Sequence, residues 1–156
     1  MDRRLLVRLM AAALLVSLAG CGTADRGSPP GSTLASGTVT ISDPWVRPAP
    51  TMDSTTAGYM TITNHGSTDD ALLSATSPVA SDVELHETSM DSGMAGMKPV
   101  DRVSVTAGGS VKLEPGGYHL MLMRLSKTLA VGDTVELELT FEHTGRVVVQ
   151  AEVRQG

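Results

Sequence analysis

Residues 134–153 read TVELELTFEHTGRVVVQAEV, and the alternation within them sets the fold class. Val135, Leu137, Leu139 and Phe141 occupy every second position. Apolar residues of period two share one face of a β-strand, whereas a helix would scatter them around its axis. The same alternation recurs in TVTIS (38–42), AGYMTITN (57–64), VELHE (83–87), YHLMLMRL (118–125) and RVVVQAEV (146–153). Turn formers separate these runs: Asn64-His65-Gly66, Gly108-Gly109, Pro115-Gly116-Gly117 and His143-Thr144-Gly145. No segment sustains a helical period. The pattern predicts an all-β chain, an antiparallel β-sandwich or small barrel, with one face of each sheet turned to the core.

One stretch breaks the rhythm. HETSMDSGMAGMKPV (86–100) opens on a strand and then loses periodicity, placing Met90, Met94 and Met97 among Ser, Gly, Asp and Thr. Spacings of four and three would align the methionines on a helix, but Asp91, Ser92, Gly93 and Gly96 make a poor helix. A loop is expected there, with little reason to fold inward.

The chain opens MDRRLLVRLMAAALLVSLAGC. Arg3, Arg4 and Arg8 flank an apolar run, Leu9–Leu18, that is short for a bilayer span and suits an export signal. Leu18-Ala19-Gly20-Cys21 resembles the lipobox of bacterial lipoproteins, which implies cleavage after residue 20 and a lipid on Cys21. Residues 21–37, rich in Gly, Ser, Thr and Pro, then read as a flexible tether, and 38–156 as the folded domain. The expected location is extracytoplasmic, anchored to the cell membrane through that lipid.

Cys21 is the only cysteine, so the domain has neither a disulfide nor a thiolate to offer a metal. Setting aside Arg3, Arg4, Arg8 and Asp2 leaves nine Lys and Arg against sixteen Asp and Glu beyond Cys21, a formal charge of −7. An acidic surface without a basic run argues against nucleic acid and against electrostatic docking on anionic lipid. Catalytic signatures are missing too. There is no Ser-His-Asp order with a glycine elbow, no phosphate loop and no His-Glu-x-x-His. A non-enzymatic role is expected.

The remaining chemistry is soft. Read as a strand, YHLMLM (118–123) turns Leu120 and Leu122 to one face and His119, Met121 and Met123 to the other. Thioether sulfur and imidazole nitrogen suit Cu(I), whereas Mg²⁺ and Ca²⁺ want oxygen and zinc seldom takes methionine. His86 precedes Met97 by ten intervening residues, Met97 precedes His119 by twenty-one, and Met121 follows. Neutral donors leave Cu(I) its single charge. No sulfur needs deprotonating, so binding should weaken mainly as imidazole protonates, ordinarily around pH 6.5 and below.

The pattern His86, Met97, His119-x-Met121 resembles the metal motif of the periplasmic copper chaperones called PCu(A)C. DPWVRPAP (43–50) is similar to that family's early Trp-x-Arg segment and AGYMTITN to its next strand. VELHE, LEPGGYHLMLMRL (113–125), VGDTVELELTFEHTG (131–145) and VVVQAEV (147–153) continue the likeness in order, so that it covers residues 38–154. The family often has Met after the first histidine, where this chain has Glu87. The resemblance implies a cupredoxin-like Greek-key β-sandwich that binds copper outside the cytoplasmic membrane. It also implies delivery to the dinuclear copper centre of a terminal cytochrome c oxidase, directly or with a Sco-type protein. Met90 and Met94 are candidate secondary copper contacts.

Other residues carry plainer expectations. His65 and His143 belong to turns, Met60 and Met123 to the core, and Trp45 to packing; Arg47 could pair with an acidic neighbour. A blue-copper electron carrier needs a Cys thiolate with two histidines and is excluded. A lipid-anchored β-sandwich for protein interaction or copper buffering, with methionines as adaptable contact surface, is the alternative.

Overall fold

The computed structural model describes residues 34–91 and 94–156, and side chains for 37–89 and 96–156. Residues 1–20, read as a signal segment, Cys21, most of the stretch read as tether, and the side chains of Met90 and Met94 lie outside the described residues.

Among the described residues every regular element is a strand. In chain order they are β1 (Leu34–Ser36), β2 (Val39–Val46), β3 (Thr56–Asn64), β4 (Asp70–Thr76), β5 (Ala80–Asp91), β6 (Met94–Pro99), β7 (Val103–Val105), β8 (Ser110–Leu113), β9 (Tyr118–Leu125), β10 (Thr134–Phe141) and β11 (Arg146–Val153). They form one curled sheet in the order β6-β5-β9-β8-β3-β2-β11-β10-β4-β7, with β1 added to β2 and the start of β3 paired directly to β9. Most pairings are antiparallel, as expected; β2 with β11 and β8 with β9 are parallel.

The alternating rows build the core. Val135, Leu137 and Leu139 are wholly buried and Phe141 nearly so, facing Ile41, Ile62, Leu120 and Leu122. Each such side chain contributes about 1.5–3 kcal/mol through burial, so a one-residue slip of any strand would be heavily penalised. Met60 belongs to this core, as expected. Met123 does not: it is half-buried on the face opposite Leu120 and Leu122.

Two segments differ from expectation. Leu34–Ser36, read as tether, pairs with Ile41–Val39 across a turn in which Gly37 takes a φ of 59°. The stretch 86–100, read as a loop, is a long hairpin in which His86 faces Pro99, Thr88 faces Met97 and Asp91 faces Met94. The backbone groups of β6 gain partners from β5, and that pairing does not need an alternating sequence.

The register of β2 matters for function. Ser42 pairs with Thr61 but Trp45 pairs with Tyr59, so one extra residue is accommodated at Asp43-Pro44. Asp43 takes a φ of 50°, and Pro44 is tolerated because a bulge needs no ladder donor there. Before the bulge Val39 and Ile41 point to the core; after it Val46 does, and Trp45 and Arg47 turn outward.

Candidate metal centre

Strand β9 is the spine of the site. His119 and Met121 stand on its outer face, away from Leu120 and Leu122. On one side β5 places His86 directly opposite His119 and Glu84 directly opposite Met121. Beyond it, β6 places Met97 opposite Thr88, which is in phase with His86 and Glu84. On the other side β3 sets Ala57 opposite Met121 and carries Tyr59, whose ring lies 6.4 Å from that of His119. His86, Met97, His119 and Met121 therefore share one face of three adjacent strands.

Their burial differs sharply. His119 is 4% exposed and His86 8%, whereas Met97 is 61% exposed and Met121 intermediate. The imidazoles are held in the sheet face, whereas Met97 stands exposed on the edge hairpin. Met97, Met121 and His119 line one side of an open cavity of about 400 Å³, with Tyr59 and Arg47 on the other. His86 does not line this cavity; it stands across from His119, with ring centroids 5.8 Å apart. An ion bound at about 2.0 Å by a nitrogen of each ring would sit about 3 Å from each centroid. The separation thus admits a bent nitrogen–metal–nitrogen arrangement.

Hydrogen bonds assign the nitrogens. His119 Nδ1–H donates to the Gly117 carbonyl at 3.1 Å, which leaves Nε2 with a bare lone pair. That carbonyl also accepts the Thr88 N–H at 3.1 Å, and the turn before it depends on Gly116 at a φ of 86°. His86 Nε2–H donates to Glu84 Oε2 at 2.9 Å, so its lone pair is on Nδ1. That Nδ1 is buried and has no hydrogen-bond partner among the described residues. A buried lone pair without a donor loses its hydration for nothing unless an electrophile takes it. Carboxylate and carbonyl partners behind imidazoles are the usual way in which metal-binding histidines are oriented.

Among the described residues no three His, Cys, Asp or Glu side chains gather as a metal-binding group. The two histidines would need the methionine sulfurs to complete a shell, which favours a soft monovalent ion over zinc or a hard cation. Glu87, standing where a second sulfur was expected by resemblance, faces away from the site and pairs with Lys98 at 3.5 Å. A methionine at that position would face away likewise.

A family described as "Putative lipoprotein LpqE-like" matches residues 39–153. The chain belongs to the LpqE-like family. Its relatives include "Putative lipoprotein Lxx21020" of Leifsonia xyli subsp. xyli (strain CTCB07), 33% identical over 139 residues, spanning 88% of this chain and 82% of that protein. Among solved structures, the copper-bound PCuAC domain from PmoF2 superposes on this LpqE-like chain with a TM-score of 0.69 at 26% identity, covering 80% of this chain and 99% of the domain. The CuI form of DR1885 from Deinococcus radiodurans gives 0.57 at 35% identity, covering 72% and 77%. The LpqE-like chain thus has the cupredoxin-like fold of the PCuAC copper-chaperone domains.

Three site residues were not singled out in the sequence. Glu84 is two positions before His86, and that in-phase spacing was the available signal. Thr88 extends the same row. Tyr59 sits in a strand where nothing marks it as different from its neighbours; its place is set by the pairing with Trp45, whose ring stacks at 4.4 Å. Burial pushes the Tyr59 hydroxyl above its ordinary pKa, with Arg47 opposing, so it stays a neutral phenol at neutral pH. Trp45 is buried against Tyr59 and under Arg154, the packing role expected of it. Arg47 has its guanidinium 5.7 Å from the Tyr59 ring centroid, and no ion pair with an acidic residue is present among the described residues.

Proposed function

We propose that this chain is an extracytoplasmic copper chaperone that holds Cu(I) through His86 Nδ1, His119 Nε2 and the sulfurs of Met97 and Met121. The observation that carries this reading is the orphaned, buried Nδ1 of His86 beside an imidazole whose free nitrogen is set by Gly117, on the face that also bears both methionines. The copper-bound and CuI structures of the related PCuAC domains support the choice of ion. Two buried imidazoles and two more exposed methionines suit a carrier. All four donors are neutral, the exposed Met97 can leave first, and the ion can pass to an acceptor one bond at a time.

The anchor and recipient belong to the same proposal. Cys21 carries the lipid, a reading supported by the lipoprotein names of the family and of its Leifsonia relative. The recipient is the copper centre of cytochrome c oxidase, reached directly or with a Sco-type protein, as the resemblance implies. Leucine has nearly the volume of methionine, so Met97→Leu and Met121→Leu should each change stability by less than about 1.5 kcal/mol. Each should nevertheless weaken Cu(I) binding at least tenfold in a chelator competition assay, with one fewer sulfur neighbour in X-ray absorption. Wild-type affinity in both variants would remove the methionines from the site.

A further inference from the structure

Among the described residues, Arg47 is the only formally charged side chain lining the cavity in front of Met97, Met121 and His119. Its position is specific. The bulge at Asp43 turns it outward, its N–H donates to the Ala57 carbonyl at 2.9 Å, and its carbonyl accepts the Thr56 hydroxyl at 2.9 Å. The guanidinium lies near the Tyr59 ring, and no carboxylate neutralises it among the described residues. The chain beyond Cys21, Arg47 included, carries a formal charge of −7. An exposed cation without a carboxylate partner, at the mouth of a cavity on an acidic protein, attracts anions to that point.

We infer that Arg47 makes this cavity the exit port for copper by drawing in an anionic donor group of the acceptor. The inference rests on the copper-carrier reading above. In the exchange, the anionic donor enters the cavity and forms a bond to Cu(I) as the Met97 sulfur bond breaks. Copper remains Cu(I) throughout, no proton or electron is transferred, and the entering charge is balanced by the ion and stabilised by the guanidinium. Met121 and the two histidines are released in turn as further acceptor donors bind.

The test is the rate of Cu(I) transfer from loaded protein to two chelators, followed by the visible absorbance of the product. Bathocuproine disulfonate is anionic and neocuproine neutral. With Arg47→Gln, transfer to the disulfonate should slow about three- to tenfold, an effect of the size a single charge gives at a partly exposed site. Transfer to neocuproine should be unchanged. Arg47→Lys, which keeps the charge but not the planar fork, should restore most of the disulfonate rate, and added salt should slow wild type and Arg47→Lys but not Arg47→Gln. Equal slowing with both chelators, or none with either, would overturn the inference while leaving the carrier reading intact. A wild-type protein that takes up no Cu(I) would overturn both.

Discussion

Glu84 shows how a residue outside a donor set can decide which atom donates. Its carboxylate lies 2.9 Å from His86 Nε2, and this holds the proton on that nitrogen and leaves Nδ1 bare. Removing the carboxylate frees the ring to take the other tautomer or to turn. Glu84→Ala should therefore weaken Cu(I) binding about ten- to a hundredfold, the usual effect of losing such a partner. Glu84→Gln keeps an acceptor oxygen and should retain most of the affinity. Long-range nitrogen–proton NMR of the metal-free protein reads the outcome directly: the Nε2–H form of His86 should dominate in wild type and in Glu84→Gln, and give way to a tautomer mixture in Glu84→Ala. An unchanged tautomer in the alanine variant would show that Glu84 has no such role.

Among the elements, the β10–β11 hairpin is tied to β4 by one buried carboxylate. Asp70 Oδ1 accepts the N–H groups of Ala71 at 2.8 Å and His143 at 3.0 Å, and Oδ2 accepts that of Thr144 at 3.0 Å. Burial pushes the Asp70 carboxyl up, but the hydrogen bonds from His143, Thr144 and Ala71 outweigh it and hold its pKa below the usual value. A lowered folded-state pKa gives stability that is fully present above the unfolded value of about 3.9 and is lost as pH falls through the folded value. Asp70→Asn turns an amide toward donors that need an acceptor, and should cost about 1–3 kcal/mol at neutral pH. In urea melts the gap between wild type and variant should hold steady above about pH 5 and narrow below pH 4; a gap that widened in acid would contradict this account. The elements were unequally legible. β9, β10 and β11 carry strict alternation and were readable in the sequence within a residue or two. β4, reading DALLSAT, and β6, reading MAGMKP, were not, because their small and mixed residues have no period and their strand conformation comes from neighbours already in place.

At the scale of the whole molecule, folding and loading should be linked because the proposed donors come from the β5–β6 hairpin and from β9, which meet only in the finished sheet. Cu(I) at a hundred times its dissociation constant should stabilise the native state by about 2.7 kcal/mol. For a domain of this size that raises Tm by about 10 °C. Calorimetry of residues 34–156 should show this shift, and should show none on adding a thiol-free reductant alone, since that stretch contains no cysteine. An unmoved Tm would break the link. The spacing of the four proposed donors was legible in the sequence, but the proposed port was not. Its members, Arg47 and Tyr59, meet the site through strand order and through a single extra residue in β2. That residue reverses the phase of the chain part-way along β2, so that Val46 pads the interior while Arg47, just past the strand, furnishes the mouth of the cavity. Deleting Asp43 or Pro44 would exchange the two roles, driving an arginine inward and a valine out. Over that stretch the chain's length is constrained more tightly than its chemistry.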